Sequence, residues 1–219
     1  MSERPLQILD LGIRDYDEVW ALQKELRATI AAEPGCTEHL ILVEHPPVIT
    51  LGRRADAANV LYDEDGLATR GVQLRHVDRG GDVTYHGPGQ LVAYPIVRLA
   101  GEQRDVRGYF RTLEQVVIKV LAGHGIEAGL LEGLTGVWVG GDKVCAMGVA
   151  IRQWTTYHGI ALNVSTDLDH FRLITPCGIA DKGVTSMEAL LGRAVPLAEV
   201  GAAFVQHFAE AFDFTEVRA

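Results

Sequence analysis

Lysine is scarce in this 219-residue chain: Lys24, Lys119, Lys143 and Lys182 are the only four among 20 basic residues. With 29 acidic residues the formal net charge is -9, which argues against a phosphate-neutralising face and hence against a nucleic-acid partner. Cysteine is sparse too. Cys36, Cys145 and Cys177 are an odd number at no metal-ligand spacing, so neither a disulfide framework nor a metal site is expected. No basic-then-apolar leader is visible, and every apolar run is broken well short of the roughly 20 residues a membrane span needs. The expectation is a reduced, cytoplasmic protein with no membrane association. Hydrophobic residues make up 47% and charged residues 22%, enough for one full core, and no linker or repeat divides residues 1–219, so a single domain is expected.

What is present alternates between two periods. Asp15 to Ala32 carries Val19, Leu22, Leu26 and Ile30 on one helical face behind an N-cap aspartate, and Pro34 and Gly35 end it. His39–His45 and Val48–Leu51 are β-rich runs parted by Pro46 and Pro47. Gly71–Val77 reads as a strand, Arg79–Gln90 as a glycine-rich loop and Leu91–Val97 as a strand. Asp105–Gly123 bears a wide apolar stripe and predicts a helix. Four strands follow, Ile126–Leu130, Thr135–Val139, Lys143–Arg152 and Thr155–Val164, with a turn at Gly140 and Gly141. Thr185 with Glu188 suggests a capping box, and Leu197, Val200, Phe204, Phe208 and Phe212 line a last helix after Pro196. Runs of strands with segregated helices imply an α+β fold.

Four stretches carry chemistry. Arg79–Gln90, R-G-G-D-V-T-Y-H-G-P-G-Q, concentrates glycines that allow backbone N–H groups close to a ligand, but it lacks the endings of the known phosphate loops. It is either a long hairpin or a binding loop, and His86 either a turn histidine or a group facing substrate. In Gly140–Ala150, Lys143 opens an apolar strand, as a snorkelling end residue or as a cation held near a reaction. Cys145, two residues on, shares its face if the strand is regular, as core thiol or nucleophile. Tyr157–Val164 places His158 in a buried run, where a hydrogen-bonded core histidine is the plain alternative. In T-P-C-G-I, Thr175–Ile179, Cys177 stands in a rigid non-periodic turn, which suits a presented nucleophile, whereas Cys36 is incidental. A thiolate is the reactive form, and Lys143 is the best-placed cation to favour it. A thiolate that accepts an acyl group becomes a thioester open to attack by an amine.

In this order the four stretches resemble the octanoyltransferase family that begins protein lipoylation, also called lipoate-protein ligase B. The resemblance runs from E-H-P-P-V-I-T-L-G-R (Glu44–Arg53) to T-S-M-E (Thr185–Glu188). It implies a single domain with the biotin and lipoate ligase fold, a mixed sheet flanked by helices. It further implies octanoyl transfer from acyl carrier protein to a lysine of the lipoyl domains of 2-oxoacid dehydrogenase complexes and of the glycine cleavage H protein. Cys177 then matches the thioester cysteine and Lys143 the lysine that lowers its pKa, with neither ATP nor metal as cofactor. The acyl pocket corresponds to Arg79, Gly80, Gly81, Asp82, Val83, Thr84, Tyr85 and His86, to Ala146, Met147 and Gly148, and to His158, Gly159, Ile160 and Ala161. Beside that wall Cys145 becomes a lining residue. Because donor and acceptor domains are acidic, Arg53, Arg54, Arg75 and Arg79 are expected to form a basic docking patch.

Three other readings fit the same residues. A thiol hydrolase would pair Cys177 with His86 or His158 and release free acid. An ATP-dependent ligase would activate a free acid first. A silent acyl-binding module would tolerate serine at Cys177.

Overall fold

The computed structural model describes residues 4–33, 35–175 and 182–218. The chain opens with β1 (Pro5–Ile13) and α1 (Tyr16–Ala32), whose N-cap Asp15 accepts from the Asp17 and Glu18 N–H groups. Next come β2 (Glu38–Glu44), β3 (Val48–Leu51), the short α2 (Glu64–Ala68), β4 (Gln73–His76), β5 (Val83–His86) and β6 (Gln90–Ile96). After α3 (Val106–Gly123), the strands β7 (Gly129–Leu131), β8 (Leu134–Val139), β9 (Asp142–Arg152) and β10 (Thr155–Asn163) follow in succession. The chain ends through β11 (Gly183–Val184), α4 (Met187–Leu191), α5 (Leu197–Ala211) and β12 (Glu216–Arg218).

Two sheets result. The larger runs β12-β1-β2-β6-β10-β9-β8-β7, with β11 beside β9, and the smaller is β4-β3-β5. Parallel pairs at β1/β2 and β1/β12 sit beside antiparallel pairs at β2/β6, β6/β10 and β9/β10, so the sheet is mixed. One face of the large sheet buries its apolar residues against α3 and α5, where Leu113, Val117, Phe204 and Phe208 are fully enclosed. The opposite face packs Ile41, Tyr94 and Ala161 against Val19 and Ile30 of α1. The small sheet has its own core, in which Ile49, Val83 and Tyr85 meet Phe171 and Leu173. Among the described residues no helix is long and apolar enough to cross a membrane.

Several expectations are refined. The Arg79–Gln90 loop contains β5, because Val83–His86 pairs antiparallel with Leu51–Val48. The last short helix is capped by Ser186, whose Oγ accepts the Ala189 N–H at 3.2 Å. Thr185 is not the cap, since its own N–H still serves the sheet by bonding the Lys143 carbonyl at 3.0 Å.

Candidate active site

The glycine-rich loop and β5 stand against the middle of β9 and β10. The buried guanidinium of Arg79 fixes the loop: it donates to the Thr50 carbonyl at 2.7 Å, to Thr50 Oγ1 at 3.0 Å and to the Gly80 carbonyl at 3.0 Å. Gly80 N–H then reaches the Val149 carbonyl at 3.0 Å, joining the loop to β9. Gly148 is required there, because a Cβ at that position would lie 2.9 Å from both the Gly80 carbonyl oxygen and Arg79 Cδ. Gly81 has φ +90°, a left-handed conformation that lets the loop turn toward β5.

Between the two sheets lies a cavity of about 650 Å³. Arg79, Gly80, Gly81, Asp82, Val83, Thr84 and His86 line one side, and Ala146, Met147, Gly148, His158, Gly159, Ile160 and Ala161 the other. Tyr85 does not line it. Strand alternation places Tyr85 on the reverse face of β5, stacked on His170 with centroids 5.0 Å apart and edge-on to Phe171 at 5.4 Å. Lys143 is at the wall shared with Gly133, Thr135 and Phe110, its Nζ 4.7 Å from the centre of the Trp138 ring. Cys177, with the rest of residues 176–181, lies outside the described residues. The flanks of that run are placed: Thr175 N–H bonds the Asn59 carbonyl at 2.8 Å, and Gly183 and Val184 pair in parallel with Asp142 and Lys143.

Cys145 does not line the cavity. In β9, Lys143 faces Trp138 of β8 and Cys145 faces Val137, leaving Val144 as one extra residue. Such a bulge breaks the alternation of side chains, so Lys143 turns to the cavity while Cys145 enters the main core. Burial raises the Cys145 thiol pKa strongly, which keeps it protonated. The proposed arginine patch is also smaller than expected. Arg79 is enclosed and Arg75 is engaged by Asp17 at 2.7 Å, whereas Arg53 and Arg54 are exposed and Arg54 reaches the cavity.

A second set of residues, unseen in the sequence, surrounds His86 and His158. Asp78 accepts from His158 Nε2 at 2.9 Å, from the Tyr157 hydroxyl at 2.6 Å and from Trp20 Nε1 at 3.1 Å. Burial opposes its charge, yet the bonds from His158 and Tyr157 prevail and hold the Asp78 carboxyl well below the usual range. His158 is thereby protonated on Nε2, leaving Nδ1 to accept from the Tyr16 hydroxyl at 3.5 Å. His45 donates from Nδ1 to the Arg14 carbonyl at 2.8 Å and accepts the Tyr94 hydroxyl on Nε2 at 2.9 Å. His86 donates from Nδ1 to Gln90 Oε1 at 2.8 Å, while the Gln90 amide donates to the Tyr85 carbonyl and to Asn163 Oδ1. Burial lowers His45 to about 4 and, helped by the neighbouring His45, lowers His86 to about 3. These imidazoles are neutral near pH 7, so this end of the cavity is polar but uncharged at its histidines. Only the histidine within H-G-I-A-L-N and the one within T-Y-H-G carried a signal in the sequence. Asp78, Tyr16 and Tyr94 meet them from 64 to 142 positions away in sequence.

The model of the lipoyl protein ligase A/B catalytic domain matches residues 15–209. An octanoyltransferase of Solibacter usitatus is 52% identical over 204 residues, covering 93% of this chain and 91% of that protein. An octanoyltransferase of Chloroflexus aggregans is 48% identical over 220 residues, covering 99% of both. The bi-partite lipoate protein ligase of Thermoplasma acidophilum, known from its structure, shares the fold with a TM-score of 0.75 at 21% identity, over 100% of this chain and 87% of that one. With a family model across nearly the whole catalytic unit and relatives of this closeness from end to end, the chain belongs to the lipoyl protein ligase A/B catalytic-domain family and, within it, to the octanoyltransferases.

Proposed function

We propose that the chain moves an octanoyl or lipoyl group from acyl carrier protein to a lysine of a lipoyl domain, by way of a thioester on Cys177. The observation that carries this reading is Lys143 at the cavity wall, beside the strand β11 through which the chain returns from the Cys177 segment. Its ammonium would favour the thiolate. The thiolate attacks the donor thioester, the carrier thiolate leaves and takes a proton from the Lys143 ammonium, and the acyl group rests on sulfur. The acceptor lysine, as free amine, then attacks that carbonyl; the amide forms, the Cys177 thiolate leaves, and the amine proton passes to Lys143 or to solvent. Because the donor is already a thioester, the reaction as proposed needs neither ATP nor metal. In this scheme the histidines, His86 held at Nδ1 by Gln90 and His158 at Nε2 by Asp78, are part of the acyl chamber rather than bases for water. The acceptors are the lipoyl domains of 2-oxoacid dehydrogenase complexes and the glycine cleavage H protein, and the setting is the cytoplasm.

The test is incubation with octanoyl-acyl carrier protein and an apo lipoyl domain without ATP, followed by intact mass of both proteins. One octanoyl adduct should appear on the acceptor lysine and, before acceptor is added, one on Cys177. Cys177→Ala should give neither. Free octanoate as the sole product would make the chain a hydrolase, and a requirement for ATP would make it a ligase.

A further inference from the structure

Asp82 belongs to the loop that lines the cavity, yet both of its carboxylate oxygens are engaged by a separate strap, residues 52–61. Oδ1 accepts the Asp56 N–H at 3.2 Å and Oδ2 accepts the Asn59 amide at 2.7 Å. Three main-chain bonds reinforce the join, from Gly52 to Asp82, from Arg53 to Arg79 and from Arg54 to Gly81, at 3.0, 3.0 and 3.2 Å. The strap then makes a tight 3-10 turn, Ala57–Asn59, capped by the Asp56 side chain. Its far end holds the chain that leads into the Cys177 segment. The Asn59 carbonyl accepts the Thr175 N–H at 2.8 Å, the Leu61 N–H bonds the Leu173 carbonyl at 2.9 Å, and Val60 bridges to Ile174. Asn59 is therefore tied twice, by its side chain to the cavity loop and by its carbonyl to the last described residue before Pro176 and Cys177.

We propose that Asp82 and Asn59 are a positioning pair, whose hydrogen bond sets the entry of the Cys177 segment against the acyl cavity and thereby aligns thiol and donor carbonyl. The proposal rests on the thioester reading above. Asp82 acts here through the strap, beyond any contact with the acyl group. Reaction rates are steep in this alignment, because an offset of about 1 Å costs on the order of 100-fold.

The experiment is single-turnover acylation by octanoyl-acyl carrier protein in wild type, Asn59→Asp, Asp82→Asn and the double variant, with melting temperature and iodoacetamide alkylation of Cys177 measured alongside. Asn59→Asp sets two carboxylates against each other. Asp82→Asn offers one acceptor to two donors. In the double variant the new amide at 82 donates to the new carboxylate at 59, its carbonyl keeps the Asp56 N–H, and the net charge is unchanged. Each single variant should acylate at least roughly 10-fold more slowly at saturating donor with little change in KM, and the double variant should return to within about 3-fold of wild type. Alkylation, which needs no bound acyl group, should stay within about 2-fold throughout. Singles that acylate at the wild-type rate, a folded double variant as slow as the singles, or alkylation falling in step with acylation would each overturn the pair. Should a single variant not fold, the double variant decides. Full transfer by Cys177→Ala would instead overturn the thioester reading itself, so the two failures are told apart.

Discussion

Lys143 is the one lysine of four that lines the cavity, and its placement depends on a neighbour that supplies no proton. The Trp138 ring beneath its Nζ accommodates an ammonium without lending it a counter-charge. Lys143→Met retains the stem and removes the charge. Transfer should fall by about 100-fold, the scale of losing a positioned acid or base. The rate of Cys177 alkylation by iodoacetamide should also shift to higher pH, while Lys143→Arg should recover part of that shift and little of the turnover. An alkylation profile identical to wild type would reject the thiolate role. Rarity drew attention to Lys143 in the sequence, and the fold places it at the cavity wall. Asp78, Tyr16 and Tyr94 were illegible because each is unremarkable in its own segment and acquires meaning only from partners the fold brings in.

Helices were the easiest elements to read. The apolar stripes of α1, α3 and α5 follow the 3.6-residue period that tertiary burial demands, and Asp15 caps α1 as its side chain indicated, while α5 starts after Pro196 with no side-chain cap. Strands β1 and β12 escaped notice, since β12 is too short for a period and β1 gains its definition from parallel partners supplied by distant sequence. The face of Cys145 was misjudged for a local reason, one inserted residue at Val144, which no alternation pattern announces. Close packing makes a sharper demand at Gly148. Gly148→Ala should destabilise the protein by about 1–3 kcal/mol in urea unfolding, because the Gly80 carbonyl it would strike is backbone, held by Arg79 and by the Gly80 N–H bond to Val149 of β9. Acyl transfer should fall with it. Gly141→Ala, with nothing within 4 Å of the added Cβ, should alter stability by less than about 1 kcal/mol. Equal effects from the two substitutions would refute the packing account.

Three buried histidines give the whole molecule an acid weakness. His45 and His86 fall from an ordinary 6.5 to about 4 and about 3, and His158 is lowered as well, in each case chiefly by burial. Below pH 6.5 the unfolded chain binds protons that the folded chain refuses, so stability is complete above that value and declines as pH falls toward 4. At pH 5.5 the loss should be on the order of 1.4 kcal/mol for each of His45 and His86. Asp78 adds nothing there, since its depressed carboxyl contributes throughout and fails only in stronger acid. Urea midpoints at pH 7.5 and 5.5 measure the decline, and His86→Gln should flatten it; a slope equal in the variant would remove His86 from the account. The chamber that His86 and His158 line is built between two sheets rather than within one, and at Gly148 the large sheet meets the loop that joins β4 to β5. Its width is therefore a property of docking. On the proposed reading, inherited changes in how β3, β4 and β5 seat on the large sheet would retune which acyl chains enter, while the strand that presents Lys143 stays as it was, so specificity and reactivity would evolve on separate parts of the chain.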